Sequence, residues 1–239
     1  MTRQKTPAAL ARDIRRHLRD HGSAEHAEGV QWFFKERVAS HGWYTAALRR
    51  YGASLHKSLA GQPALVIDVA EALFDSRVLE EKVLAVFLVQ RTLKAAGPDA
   101  FARFERWLDG VASWPDHDAL TMFVLGPLLV VSPSHVRRVH AWARSDDPWH
   151  RRAAAVTLIH GVRRGLFAGH AARIARTLKR DPDDMVQKGL GWLLREWCKA
   201  RPDAAVPIVL AIRPDTSRLV LRTACETLPP AERRAMLSS

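Results

Sequence analysis

Residues 185–199 read MVQKGLGWLLREWCK, and this stretch decides the fold. Val186, Leu190, Leu193, Leu194 and Trp197 stand at offsets of 4, 7, 8 and 11. That is the spacing of one helical face, not the alternation of a strand. A second face carries Lys188, Gly191, Trp192, Arg195 and Lys199 at offsets of 3, 4, 7 and 11. An indole among three cations, beside a glycine that admits a close neighbour, is what a phosphate backbone would meet. A core tryptophan with cations reaching outward would give the same pattern. Trp197 already serves the apolar face, which favours the binding reading.

The same periodicity extends through the chain. Val83, Leu84, Phe87, Leu88 and Arg91 follow one another at helical spacing. Breaks fall at Gln62-Pro63, Gly97-Pro98, Ser132-Pro133, Asp147-Pro148, Asp181-Pro182, Arg201-Pro202 and Pro229-Pro230. Proline at or just before the first turn is a helix start signal. The pattern predicts roughly a dozen helices of about 10–17 residues, joined by short loops. One run, Leu65 to Val69, also suits a strand but sits inside a helical frame. Residues 147–153 align with 183–189 at an offset of 36, each with an acid at the helix start and a base five positions on. That period suits a two-helix repeat of the HEAT or armadillo kind. The expectation is an all-α chain: a single domain over 1–239, an α-solenoid of HEAT-like stacked antiparallel helix pairs with a concave basic face.

Composition supports a globular chain, with 47% apolar and 26% charged residues in 239. Disordered segments are poorer in apolar residues, and two cysteines, Cys198 and Cys225, make no disulfide scaffold. The net charge is +12, with 29 arginines and 8 lysines. Nucleic acid is the commonest reason for such a balance and an anionic membrane surface the second, while the spread of basic residues along the whole chain also suits plain surface decoration with arginine. The weakly polar run 119–131 is too short to span a bilayer. The first twenty residues lack the apolar stretch of a secretory signal. The expected setting is cytoplasmic and nucleoid-associated.

Two further segments are candidates for chemistry. In Pro148-Trp149-His150-Arg151-Arg152, Trp149 and Arg152 share a helix face, where an arginine can clamp a phosphate beside free backbone N–H groups. In Ser113-Trp114-Pro115-Asp116-His117-Asp118, a helix starting near Pro115 projects Trp114 and Asp118 to one side. A carboxylate beside an indole suits stabilisation of a developing cation. Capping is the better account of Asp116, and Asp118 stays open. No P-loop, dinucleotide fingerprint, metal-ligand spacing or nucleophile elbow is present, so no cofactor and no metal are expected.

Together, the stretches 149–154 and 186–196 resemble the AlkD-type alkylpurine DNA glycosylases, DNA repair proteins built of HEAT-like helical repeats. QKGLGWLLREW is the most specific part. The resemblance runs from about Ala27 to the C-terminus and is strongest over Trp107–Pro202. It implies a tryptophan at Trp114, an essential aspartate at Asp118, a DNA-gripping arginine at Arg152 and a second tryptophan at Trp192. A DNA-touching aromatic in the N-terminal part falls on Phe33, with Trp32 the alternative. Lys188, Arg195, Lys199, Trp149 and Arg151 complete the expected DNA contacts. This chain departs from the family pattern at Pro115, where many members carry an aspartate, and Asp116 and His117 fill the positions between.

The implied reaction is hydrolysis of the N-glycosidic bond of cationic N3- or N7-alkyl purines in duplex DNA, bulky adducts included. It proceeds without base flipping, in base excision repair, and leaves an abasic site. The expected partner is double-stranded DNA carrying alkylated purines, with no membrane and no obligate protein partner, and the protein a monomer. The alternative is a non-catalytic HEAT-repeat protein that binds damaged, bent or branched DNA. A third reading, a protein-binding solenoid, fits the basic balance poorly.

Overall fold

The computed structural model describes residues 5–35 and 37–238. Among them the structure is all-α, and the one extended pairing is an isolated bridge between Ala39 and Val78. The chain gathers into two compact units, Met1–Val124 and Leu125–Ser239.

The first unit holds α1 (Pro7–Asp20), α2 (Ala24–Gln31), α3 (Thr45–Ser58), α4 (Pro63–Phe74), α5 (Leu79–Val89), α6 (Ala100–Glu105) and α7 (Trp114–Leu120). Leu65 to Val69 lie inside α4, so the strand alternative falls away. Pro63 opens that helix, and Val66, Val69, Ala70 and Leu73 form its buried face. A four-residue loop, 75–78, turns the chain into α5, which packs back along α4. Helix α5 is the centre of the unit, touching α3, α4 and α7. It is buried on nearly every side from Glu80 to Val89, as expected of a helix wrapped by others. Truncating Leu84, fully buried here, would cost about 2–5 kcal/mol.

The second unit holds α8 (Gly126–Val131), α9 (Val136–Trp142), α10 (Pro148–Val156), α11 (Ile159–Val162), α12 (Ala168–Leu178), α13 (Asp184–Ala200), α14 (Pro202–Ile212), α15 (Arg218–Ala224) and α16 (Pro230–Leu237). Helix α13 is its centre, in contact with α10, α11, α12, α14 and α15. Its predicted stripe is the observed core face: Val186, Leu190, Leu193, Leu194 and Trp197 are each at most 2% exposed. Ala153, Ala154 and Ala155 on α10 are wholly buried, and their small size lets α13 approach. The 36-residue echo in the sequence is a repeat of helix starts. Asp147 caps α10 by accepting from Trp149 N at 2.8 Å. Asp183 caps α13 by accepting from Met185 N at 2.8 Å and Val186 N at 3.0 Å. No single helix among the described residues is long and apolar enough to cross a membrane.

Candidate functional site

Helix α7 places Trp114 and Asp118 one turn apart, with Trp114 exposed (41%) and the Asp118 side chain 18% exposed. Between them lies a buried polar knot. Asp116 is fully enclosed; its Oδ2 accepts from Ala112 N at 2.9 Å and its Oδ1 accepts from the Ser113 hydroxyl. The expected cap is not formed: no side chain caps the first turn of α7, and Asp116 instead fastens the loop ahead of the helix, while its burial removes it as a competitor for the exposed face. His117 is also enclosed, and its Nδ1 lies 2.8 Å from Asp118 Oδ1. The Thr121 hydroxyl donates to His117 O at 2.9 Å, fastening the turn from below.

The loop that leads into α7 is anchored by Lys82. This ammonium is 3% exposed and donates to Phe74 O at 2.7 Å and Gly110 O at 2.6 Å. It ties the last carbonyl of α4 to the residue just before the loop, so two helix ends meet one cation. Burial lowers the Lys82 pKa, and the Asp116 carboxylate opposes that shift. A pocket of about 540 Å³ opens beside it, lined by Phe74, Arg77, Lys82, Arg106 and Trp107 among others.

Phe34 stacks on Trp114 with ring centroids 5.8 Å apart and planes 21° from parallel. The neighbouring Trp32 and Phe33 are 90% and 78% exposed. They follow α2, which has no buried residue of its own. What holds this region is the 40–43 segment. Glu80 accepts from Ser40 Oγ at 2.6 Å, His41 N at 2.8 Å, Gly42 N at 3.0 Å and Trp43 N at 3.2 Å. Gly42 has φ +77°, and a β-carbon there would stand 1.8 Å from Ser23 O, so only glycine fits.

In the second unit, Arg152 is seated rather than displayed. It is 4% exposed, and its Nη1 donates to Met185 O at 2.5 Å. Gly189, one turn further along α13, provides the space: a β-carbon there would lie 3.0 Å from Arg152 Cγ. Gly191 plays the matching part for α15, where a β-carbon would stand 2.9 Å from Thr223 Cβ.

The second face of α13 is polar and largely self-paired. Lys188 Nζ lies 2.7 Å from Asp184 Oδ2. Arg195 bridges Glu196 at 3.2 Å and Glu226 at 2.9 Å. Lys199 is exposed. Trp192 is partly buried, and its indole N–H has no hydrogen-bond partner among the described residues. Trp149 is half-buried. Arg151 hydrogen-bonds to its own fold, to Asp181 at 2.7 and 3.2 Å and to Ser145 O and Asp146 O.

The structure thus joins Trp114 with Asp118 on α7, and Arg152 with the Lys188–Trp192–Arg195–Lys199 helix. The sequence did not single out Lys82, Glu80, Phe34 or Gly189. A signal existed for the first two, since Glu80-Glu81-Lys82 are the only charges in an otherwise apolar helix.

The family model described as DNA alkylation repair enzyme matches residues 14–228. The chain belongs to this family. The helical fold is seen again in two solved structures. One is described as a predicted DNA alkylation repair enzyme from Enterococcus faecalis. It is 17% identical with a TM-score of 0.78, over 87% of this chain and 97% of that one. The other is smu.31 from Streptococcus mutans UA159, also 17% identical, with a TM-score of 0.54 over 76% of this chain and all of that one. No curated protein matches. At this identity the two structures support the shared helical fold, while family membership connects this chain to alkylation repair.

Proposed function

We propose that this DNA alkylation repair protein is a monofunctional glycosylase for cationic N3- or N7-alkyl purines, bulky adducts included, in duplex DNA. It would act without base flipping and feed base excision repair as a monomer in the cytoplasm. The observation that carries the reading is the Asp118 carboxylate, part-exposed and fixed beside an exposed indole on α7. Alkylation makes the base a cationic leaving group, and departure leaves oxocarbenium character on the deoxyribose. A carboxylate about 4 Å away stabilises that charge by about 4 kcal/mol at an effective dielectric of ~20, roughly a thousandfold in rate. Asp118 also orients the attacking water.

In this reading Trp114 in the first unit and Trp192 in the second each offer a π face to the sugar–phosphate backbone. Arg152, Lys188, Arg195 and Lys199 hold phosphates, with Trp149 and Arg151 at the start of α10. Phe33 adds a contact from the first unit. No amine nucleophile is required, and the buried Lys82 already donates to two carbonyls.

The test is release of free base from a duplex oligonucleotide with one N7-methylguanine, comparing the wild type with Asp118→Asn. Loss of release by about a hundredfold or more in the variant is expected. Equal release by both removes Asp118 from the chemistry. A non-catalytic DNA-binding reading draws on the contact that already engages Asp118 with His117. It predicts salt-sensitive binding with no base release from either protein.

A further inference from the structure

We propose that His117 is the positioning residue for Asp118, an inference that rests on the glycosylase reading above. Side chains at adjacent helix positions do not ordinarily face each other. Here they do: His117 Nδ1 and Asp118 Oδ1 are 2.8 Å apart. The two partners differ in burial, 0% exposed for the imidazole and 18% for the carboxylate. The ring is therefore the fixed member and the carboxylate the one that faces outward.

The chemistry of the pair sets its proton. An ionised carboxylate only accepts, so Nδ1 carries the hydrogen and donates. One Asp118 oxygen is then held by a group that cannot move. The ring's own backbone is fixed in turn by the Thr121 hydroxyl on His117 O and, one residue earlier, by the Asp116 carboxylate that accepts from Ala112 N. An aspartate without such an anchor samples several staggered wells. A displacement of about 1 Å at a reacting group costs up to about a hundredfold in rate. The imidazole is the interior orienter and the carboxylate the acting group, the reverse of the hydrolase arrangement in which an aspartate steadies a histidine.

The experiment measures single-turnover base release and duplex affinity on the N7-methylguanine oligonucleotide for four proteins: wild type, Asp118→Asn, His117→Leu and His117→Asn. Leucine keeps the volume and removes the donor. Asparagine returns an N–H near the place of Nδ1. The expected result is a loss of about tenfold to a hundredfold in the release rate for His117→Leu, with unchanged Kd, and recovery of most of that loss in His117→Asn. Imidazole nitrogen NMR of the wild type should show Nδ1 protonated at neutral pH.

A release rate in His117→Leu equal to wild type overturns the proposal. So does a parallel loss of affinity, a failure of asparagine to recover any rate, or an unprotonated Nδ1. If Asp118→Asn abolishes release while His117→Leu leaves it intact, His117 alone loses its role. If wild type releases no base, or Asp118→Asn releases it normally, the glycosylase reading falls and the role of His117 falls with it.

Discussion

Arg152 lies along α13 with its Cγ 3.0 Å from where a β-carbon on Gly189 would be, and its Nη1 and Val156 Cγ2 each 3.4 Å away. Two effects compete in Gly189→Ala. Alanine gains about 1 kcal/mol of helix propensity. Overpacking a closed site costs about 1–3 kcal/mol. Arg152 is 4% exposed and bonded to Met185 O, so it has nowhere to retreat. The expected outcome is net destabilisation of about 1 kcal/mol, read by urea unfolding, together with weaker DNA binding. A stabilised variant would show that α10 and α13 separate easily.

Glu80 answers three backbone N–H groups and one hydroxyl in the 40–43 segment. Glu80→Ala strands these donors beside a gap. A loss of about 3 kcal/mol is expected from hydrogen bonds to a charged group. Hydrogen exchange should rise first at the amides of His41, Gly42 and Trp43. Unchanged protection at those amides would show that the segment is held elsewhere.

Glu81 gives a pH dependence with a definite sign. Burial pushes its pKa up, but hydrogen bonds from His41, Ser76 and Arg15 outweigh burial and hold it below the usual glutamate range. A depressed carboxylate stabilises the fold above its unfolded pKa, about 4.3. That contribution is lost as pH falls through the lower folded value. Wild type should therefore exceed Glu81→Gln in stability at pH 7, and the gap should close in acid. Urea titrations at pH 7 and in the acid range read this directly; a gap independent of pH would mean the shape of the side chain matters and its charge does not.

Lys188 and Asp184 are 48% and 54% exposed, so their 2.7 Å ion pair sits in water and contributes little. A phosphate can take the lysine at small cost. Lys188→Ala should weaken duplex binding and flatten the dependence of log Kd on log salt by about 0.9. Fluorescence anisotropy over a salt series measures the slope. An unchanged slope would take Lys188 off the phosphate path.

The helical fold was legible because its signal is local. The 186–197 stripe and the Asp147 and Asp183 caps need only neighbours a few residues away. Asp116 misses its expected cap because its carboxylate reaches back past Ser113 to Ala112 N, in the loop ahead of α7. Arg152 was visible as a basic residue, but its burial depends on a glycine in a different helix. Arg151 looked like its twin, yet its guanidinium serves Asp181, 30 residues on. Lys82 takes its partners from 8 and 28 residues away, and no local pattern announces them. The His117–Asp118 contact lay between adjacent letters. Helix geometry gives no general reason for such neighbours to meet.

Lys82 also makes the first unit its own recorder. The other described lysines, at 5, 35, 57, 94, 179, 188 and 199, are exposed or partly so. An amine-acylating reagent should mark those at once and reach Lys82 only when the end of α4 parts from Gly110. The slow appearance of that one mass tag would time the opening of the scaffold beneath Trp114 and Asp118, without a label being introduced.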